Sequence, residues 1–304
     1  MNANECWFIG ECMIELRRAG EDLLRQSFAG DVYNTAVYFH RSAPSRRTCF
    51  VTAAGTDNMS RALLAQAGRH GLDVGYVGTA GARPPGLYLI EVSQHGERSF
   101  LYWRTESAAR QMLDPAHLDM LRSRVAACGL FYFSGISLAI LDDDRRGRLL
   151  ALAASVKANG GWVGFDSNYR PGLWQGREDA RHWSHSALAV ATHALVTFDD
   201  EALLHGDASA ADTVARTLAG GPGEVVVKLG KEGCLVQTSV MNRILAVPAE
   251  KVDPVDTTAA GDSFNAAYLG ARLGGASPGE AAKAGARLAA RVIGVAGAIL
   301  DEEG

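Results

Sequence analysis

The sequence Val255-Asp-Thr-Thr-Ala-Ala-Gly-Asp-Ser-Phe-Asn-Ala-Ala-Tyr-Leu269 has the composition of a loop that turns into a helix. Thr257 to Gly261 carry little bulk, so their backbone N–H groups can approach a ligand, and a helix that begins near Gly261 adds the positive end of its dipole. Asp262 then lies in the first helical turn, where a carboxylate beside a bound phosphoryl group can accept the proton of an attacking hydroxyl. The alternative, that Asp262 only stabilises the helix terminus, leaves the small residues before it unexplained.

The segment Asp256-Thr-Thr-Ala-Ala-Gly-Asp262 resembles the signature of the PfkB, or ribokinase, family of sugar kinases. That family most often has Gly at the position of Ala259. The resemblance implies that Asp262 is the catalytic base and contacts the substrate, and that the amides of Ala259, Ala260 and Gly261 form the hole for the transferred phosphate. It also implies ATP and Mg²⁺ as cofactors and leaves a requirement for a monovalent cation open. The sequence has no G-x-x-x-x-G-K-[ST] run, which excludes a P-loop kinase.

Composition indicates a globular protein with neither a nucleic-acid nor a membrane partner. With 304 residues, 47% of them hydrophobic, the chain can form one large or two modest domains. A formal net charge of −4 gives no general attraction to nucleic acid or to an anionic membrane, so an anionic substrate must be held by local charges. The N-terminus lacks a basic segment followed by an apolar run, and no stretch approaches about 20 uncharged apolar residues. We therefore expect a soluble cytoplasmic protein.

The sequence predicts neither a disulfide framework nor a dedicated metal site. The five cysteines are odd in number and include no C-x-x-C pair, which favours buried free thiols. The cluster Asp142-Asp-Asp144 is interpreted as an acidic helix start, since no D-x-D-x-D-G spacing follows. His182 and His185 are close together but lack a third ligand.

Apolar runs of strand length alternate with helical segments along most of the chain, which predicts an α/β protein. Two of the predicted strands are Thr48 to Ala53 and Val74 to Val77. The alternation is interrupted by two runs of alternating polarity, Leu87 to Ser93 and Arg98 to Arg104, joined by Gln94-His-Gly-Glu97. This pattern predicts a hairpin, which belongs in a separate small sheet.

The resemblance covers nearly the whole chain and implies a single ribokinase-like catalytic domain over residues 1–304. This fold has three layers, α/β/α, with a mostly parallel central sheet and a small β-sheet lid, inserted here from about residues 11–30 and 74–105. The lid of the family covers the sugar site and is often the dimer contact. We therefore expect a homo-oligomer, formed as a dimer through the lid sheet.

The expected sugar site begins at Gly30-Asp-Val-Tyr-Asn34, which leads into a predicted helix. Capping of that helix is the plain alternative for Asp31 and Asn34. The resemblance implies instead that Gly30, Asp31 and Asn34 bind the sugar. It also places Ile136, in the segment Ser134-Gly-Ile-Ser-Leu-Ala, at the substrate.

The predicted hairpin contributes a polar face to the same site. Tyr88 and Tyr102 share one face of the two strands, and Arg104 lies on it too because side chains repeat every two residues. A bidentate contact between Arg104 and a carboxylate would explain how a net acidic protein binds a sugar acid. The alternative is an ordinary exposed sheet face with aromatic cross-strand pairs.

Polar residues follow a predicted buried strand at Asp166-Ser-Asn168-Tyr-Arg170, a place where α/β sheets bind ligands. The resemblance implies that Asn168 lies near the nucleotide phosphates or their metal and that Arg170 reaches substrate or phosphate. As an alternative, Asp166 caps a turn.

The remaining nucleotide contacts are implied by the resemblance alone. Glu201 matches a family residue that orders Mg²⁺ through water, although Phe198 stands where the family has Asn, and Asp199 and Asp200 could share that work. The turn after a Val-rich strand supplies three expected ATP contacts, Lys228, Gly230 and Gly233. A tight turn between strands is the alternative explanation of the two glycines.

Several further segments point to one branch of the family, whose members phosphorylate the C6 hydroxyl of a keto-deoxy sugar acid. These segments are Gly10-Glu-Cys-Met-Ile-Glu15, Gly86-Leu-Tyr88, Gly96 to Arg104, Ser134 to Ala139 and Asn168 to Trp174. Two alternatives remain. A fructokinase or ribokinase would need no carboxylate clamp, and a non-catalytic sugar- or nucleotide-sensing module would need no base.

Overall fold

The computed structural model describes residues 2–20, 22–92 and 98–300. Its helices are α1 (Asp31–Ser42), α2 (Asn58–Arg69), α3 (Pro115–Val125), α4 (Gly135–Ala139), α5 (Asp143–Ala158), α6 (Arg177–Val190), α7 (Phe198–His205), α8 (Ala210–Ala219), α9 (Ala260–Leu273) and α10 (Pro278–Ile293). Its strands are β1 (Asn2–Ile9), β2 (Met13–Arg18), β3 (Leu24–Ala29), β4 (Arg47–Val51), β5 (Ala53–Ala54), β6 (Gly78–Thr79), β7 (Leu87–Val92), β8 (Arg98–Trp103), β9 (Cys128–Ser134), β10 (Trp162–Asp166), β11 (His193–Thr197), β12 (Glu224–Lys228), β13 (Cys234–Thr238) and β14 (Leu245–Val247).

The central sheet has eight strands in the order β14-β13-β12-β11-β10-β9-β1-β4. Its strands are parallel from β4 to β12, and β13 and β14 pair antiparallel at one edge. Both faces are covered by helices. Phe8 packs in one core with Phe39 of α1 and Tyr268 of α9, whereas its neighbour Trp7 packs in the opposite core with Leu149 of α5. The predicted three-layer α/β/α fold with a mostly parallel sheet is confirmed.

A second sheet has four strands in the order β3-β2-β7-β8 and is termed the lid sheet below. Strand β2 pairs parallel with β7, and the two outer pairs are antiparallel. Its strands come from residues 13–29 and 87–103, inside the two ranges expected for a lid. The turn predicted at Gln94 to Glu97 lies outside the described residues.

The strand predicted from Val74 to Val77 is wrong. Asp73 pairs beside β4 through backbone hydrogen bonds with Thr48 and Phe50, and the amide of Gly75 then donates to the Asp73 side chain at 2.8 Å. A side chain that accepts from an amide two residues further on favours a turn over a strand. The chain pairs again in β6, which lies beside β5.

The five cysteines are buried and carry free thiols, as their spacing predicts. Burial raises the pKa of Cys6 to about 12, so this thiol remains protonated near neutral pH. None of the helices in the described ranges is long and apolar enough to cross a membrane.

Candidate active site

A cleft of about 1080 Å³ lies between the lid sheet, the N-terminus of α9 and the carboxyl ends of β10, β11 and β12. Ligands of α/β proteins bind at this edge of a parallel sheet. Most of the residues predicted from the sequence line the cleft, namely Gly30, Asp31, Asn34, Tyr88, Tyr102, Arg104, Ile136, Asn168, Arg170, Lys228, Ala259, Ala260, Gly261 and Asp262. Glu201, Gly230 and Gly233 are not part of its lining.

Asp262 is the third residue of α9 and reaches into the cleft. The side-chain amide of Asn34 donates to its Oδ2 at 2.9 Å. Burial, and after it the charge of Asp31, raises the pKa of Asp262 to about 8, although the hydrogen bond from Asn34 acts in the opposite direction. A carboxyl group whose pKa lies near neutral pH is suited to accept a proton during a reaction.

The loop before α9 supplies amide donors to the cleft. Ala259 adopts the left-handed conformation, with φ 61° and ψ 14°, which alanine adopts at a cost and glycine without one. The amide of Ala260 donates to the carbonyl of Thr257 at 3.3 Å, so this member of the predicted hole is already partly used. Within the described chain, the amides of Ala259 and Gly261 have no such partner, as expected at a helix N-terminus.

Lys228 extends from the end of β12 to the same loop. Its ammonium group donates to Asp166 Oδ2 at 2.8 Å and to Asn265 Oδ1 at 3.1 Å, and it lies 3.5 Å from where a Cβ on Gly261 would be. Asn265 in turn donates to Asp166 at 2.7 Å. Sequence reasoning missed Asn265, and for Asp166 it offered only the alternative of capping a turn. A lysine inside an apolar strand was the available signal, because a buried ammonium group requires a nearby acid.

The start of α1 also lines the cleft. Gly30 precedes the helix, and a Cβ there would lie 2.2 Å from the carbonyl oxygen of Glu11, so the close approach of two backbones requires glycine. Asp31 accepts from the side-chain amide of Asn168 at 2.9 Å. The structure thus joins Asn168 to the predicted sugar residue Asp31, and its expected contact with the nucleotide stays a prediction.

Two acids that were not predicted as site residues contact the lid residues of the cleft, and one of them, Glu11, also lines it. Glu11 forms an ion pair with Arg104, and both side chains are buried. Glu15 accepts a hydrogen bond from the hydroxyl of Tyr88. The charge of Arg104 is therefore balanced within the protein, and a carboxylate ligand would compete with Glu11 for it. The spacing of Glu11 and Glu15 in an otherwise apolar run was the signal that could have identified them.

Glu201 lies outside the lining of the cleft. Its side chain is 1% exposed and forms an ion pair with Arg216 of α8, and its expected role in ordering Mg²⁺ through water stays a prediction. Asp199 and Asp200 line the cleft instead. Asp200 accepts from Arg170 at 3.2 Å, so a carboxylate and a guanidinium are available on this wall.

The two glycines after β12 lie outside the cleft lining. A Cβ on Gly233 would lie 2.1 Å from the carbonyl oxygen of Val247, so strand packing alone accounts for this glycine. Gly230 has φ 56° and faces open space. A contact of either glycine with ATP stays a prediction.

Known carbohydrate kinases are similar to this chain along nearly its full length. Residues 3–303 match the family model described as pfkB family carbohydrate kinase. A 2-dehydro-3-deoxygluconokinase of Dickeya dadantii is 42% identical over 307 residues, covering 100% of this chain and 99% of its own length. The 2-dehydro-3-deoxygluconokinase of Escherichia coli K12 is 43% identical over 301 residues, covering 97% and 96%. The fructokinase of Vibrio cholerae O395, solved in a fructose-, ADP- and calcium-bound form, has a TM-score of 0.84 at 25% identity, covering 97% of this chain and 94% of that one. The chain belongs to the pfkB family of carbohydrate kinases.

Proposed function

We propose that the protein transfers the γ-phosphoryl group of ATP to the C6 hydroxyl of 2-keto-3-deoxygluconate, which gives the 6-phosphate. The position of Asp262 carries this proposal. Its carboxylate is held by Asn34 at the start of a helix, in one cleft with Lys228 and with Arg104 of the lid. The full-length similarity to two kinases named for this sugar acid supports the choice of substrate.

The reaction follows from the arrangement around Asp262. Asn34 fixes the carboxylate, which accepts the proton of the C6 hydroxyl while the oxygen bonds to the γ-phosphorus and the bond to the β-phosphate oxygen breaks. The free amides of Ala259 and Gly261 and the ammonium group of Lys228 stabilise negative charge on the transferred group. The helix dipole of α9 adds to that stabilisation.

The residues of this cleft fit Mg²⁺ bound together with the phosphates of ATP. The described residues contain no group of three or more His, Cys, Asp or Glu side chains that could hold a metal ion. Mg²⁺ commonly binds through one or two carboxylates together with substrate phosphates and water, and Asp199 and Asp200 supply carboxylates at the cleft wall. When bound, the ion neutralises charge on the phosphates. Assays with and without K⁺ decide whether a monovalent cation also takes part.

We propose that Arg104 and Arg170 bind the carboxylate of the sugar acid. Each guanidinium already contacts a carboxylate, Glu11 and Asp200 respectively. The Arg170 side chain is 50% exposed, and an exposed ion pair contributes little, so a sugar carboxylate can recruit Arg170 at small cost. The buried Glu11–Arg104 pair keeps its guanidinium in a fixed orientation beside the lid tyrosines.

A coupled ADP-release assay across keto-deoxy sugar acids and neutral sugars tests the substrate and the activity together. We expect turnover with the sugar acid to exceed turnover with fructose or ribose, and Arg104→Leu and Arg170→Leu to weaken the acid while sparing ATP. Equal losses for neutral sugars would remove the carboxylate role of the arginines. A higher rate with fructose would favour the fructokinase alternative, and no ADP release with any sugar would favour a sensing module.

We also infer a homodimer that forms through the lid sheet. Strand β8 is an edge strand whose side chains Leu101 and Trp103 are 44% and 58% exposed, and they lie on the face opposite the cleft-lining Tyr102. An exposed edge strand with apolar side chains favours pairing with a second chain. Sedimentation of the wild type as a dimer and of Leu101→Asp as a monomer is expected. A monomeric wild type would contradict the inference.

A further inference from the structure

Arg17 extends from β2 of the lid sheet into a largely buried gap between two acids. Its Nη1 donates to Asp256 Oδ2 at 3.1 Å, and its Nη2 lies 2.8 Å from Glu15 Oε1. The side chains of Glu15 and Asp256 are 2% and 7% exposed, against 21% for Arg17. Two buried carboxylates therefore share one guanidinium, and its removal would leave both with less charge compensation.

Glu15, the acid on the lid side of Arg17, contacts a residue that lines the cleft. Glu15 accepts hydrogen bonds from the hydroxyl of Tyr88, which lines the cleft, and from Ser27 Oγ at 2.9 Å. Any change in the position of Glu15 is thus transmitted to Tyr88 through a direct contact.

Asp256, the acid on the other side of Arg17, accepts hydrogen bonds from the loop that precedes Asp262. Asp256 Oδ1 accepts from the amide of Thr258 at 2.9 Å, and Oδ2 accepts from the amide of Gly297 at 3.0 Å. Both oxygens are therefore engaged, and the contact with Arg17 helps to fix the plane of the carboxylate. This matters because Ala259, one residue after Thr258, is held in the unfavourable left-handed conformation.

We propose that Arg17 is a positioning residue that couples the lid to the phosphate-binding loop. Through Glu15 it sets Tyr88, and through Asp256 it sets the amides before α9, so that a sugar held by the lid and a phosphate held by the loop are aligned together. The kinetic part of this proposal rests on the proposed function. The hold of Arg17 on the loop does not depend on which sugar is phosphorylated.

The chain supplies a matched control for Arg17 in Arg25, which lies directly opposite it on β3. Arg25 is exposed, and it forms no hydrogen bond or ion pair with the side chain of another described residue. Arg17→Met should lower kcat about tenfold, whereas Arg25→Met should stay within about twofold of the wild type. Arg17→Lys, which retains the charge but not the two-pronged geometry, should fall between them and covers the case in which Arg17→Met does not fold.

A double-mutant cycle distinguishes coupling from a general structural role. If Arg17 acts through Glu15 on Tyr88, Arg17→Met combined with Tyr88→Phe should lose about fivefold less kcat than the product of the two single losses. Losses that multiply to within about twofold would overturn the coupling.

Amide hydrogen exchange tests the loop contact without any turnover. Arg17→Met should speed exchange of the Thr258 and Gly297 amides about tenfold or more, and Arg25→Met should leave both at the wild-type rate. Unchanged exchange in Arg17→Met would overturn the proposal. A wild type that turns over no sugar would refute the proposed function, while the exchange result would still decide the role of Arg17.

Discussion

The two ends of α9 hold two buried carboxylates in opposite ways. Near its C-terminal end, Glu224 of β12 accepts hydrogen bonds from Tyr268 at 2.7 Å and from Arg272 at 2.8 and 2.9 Å. Burial acts to raise the pKa of Glu224, but the hydrogen bonds from Arg272 and Tyr268 and the charges of Arg272 and His193 together outweigh it and hold this pKa below the ordinary value. At the N-terminal end, Asp262 has the amide of Asn34 as its hydrogen-bond donor, and its pKa rises to about 8.

The difference shows how one helix combines stability with chemistry. A fully compensated acid such as Glu224 stabilises the fold, and its lowered pKa keeps it ionised near neutral pH. An acid left without a close cation gives up folding energy, and in return its protonation can change during a reaction. The predictions below test this contrast, beginning with the largest effect.

Asp262→Asn removes the proposed base and keeps the shape of the side chain. We expect kcat to fall by about 10²- to 10⁴-fold while the sugar still binds, because general-base catalysis contributes on this scale. Steady-state kinetics with a binding measurement for the sugar acid separate the two effects. The variant should unfold no earlier than the wild type, since an amide cannot ionise in the buried site and Asn34 can still donate to the new amide oxygen. Wild-type turnover in this variant would refute the mechanism.

Glu224→Gln tests the compensated end of α9. Arg272 and Tyr268 would lose a charged acceptor, and we expect the free energy of unfolding to fall by about 2–4 kcal/mol with kcat nearly unchanged. Because the folded pKa of Glu224 is lowered, its stabilisation is present above the ordinary glutamate range and is lost as pH falls through the folded pKa. The difference between wild type and variant should therefore shrink at acid pH.

Glu178→Gln is the control for that measurement. Glu178 pairs with Arg181 one turn away on α6, but its side chain is 83% exposed. We expect a loss of less than about 0.5 kcal/mol in urea unfolding. If both variants lost the same amount, burial would not distinguish the Glu224 network.

The elements that the sequence predicts well are the local ones. The small residues before Asp262 indicate a helix N-terminus, and the apolar runs indicate buried parallel strands, because both signals depend on neighbours in the chain. The strand predicted at Val74 to Val77 is wrong because the amide of Gly75 donates to the side chain of Asp73, which favours a turn at this point.

The contacts that complete the site could not be predicted from local pattern. Arg104 and Glu11 are 93 residues apart, and Arg17 and Asp256 are 239 residues apart, so their pairing depends on how the lid sheet docks on the central sheet. The orientation of the acids at the start of α7 likewise depends on packing and could not be predicted from the local sequence. Asp199, Asp200 and Glu201 are adjacent acids, and the packing of α7 against α8 decides that the first two face the cleft.

The pH dependence of kcat/KM tests whether neighbouring charge tunes the base. Since Asp262 must be ionised to accept a proton and its pKa is about 8, activity should be lost as pH falls through about 8. Asp31→Asn removes a negative charge that raises this pKa, so the acid limb should move roughly one unit lower. Asn34→Ala removes a hydrogen bond that lowers it, so the limb should move to higher pH.

The positions of the acid limbs are informative even where these variants bind sugar weakly, since a change in binding alters the height of the profile. Identical limbs in the wild type and both variants would show that a group other than Asp262 titrates. Opposite displacements would support the contrast with Glu224, whose neighbours hold its pKa low.

Ala259→Gly should have the smallest effect. Ala259 adopts the left-handed conformation with φ 61°, where glycine avoids the strain of a Cβ but gains freedom in the unfolded chain, so the free energy of unfolding should rise by less than about 1 kcal/mol. We expect kcat within about twofold of the wild type, because the contacts of Asp256 hold the loop amides in place whichever residue follows. Ala260→Gly, inside the first helical turn, is the matched control and should lose up to about 1 kcal/mol. A large loss of turnover in Ala259→Gly would mean that the strained alanine itself keeps the loop in its working geometry, and the Arg17–Asp256 contact would then be insufficient to do so.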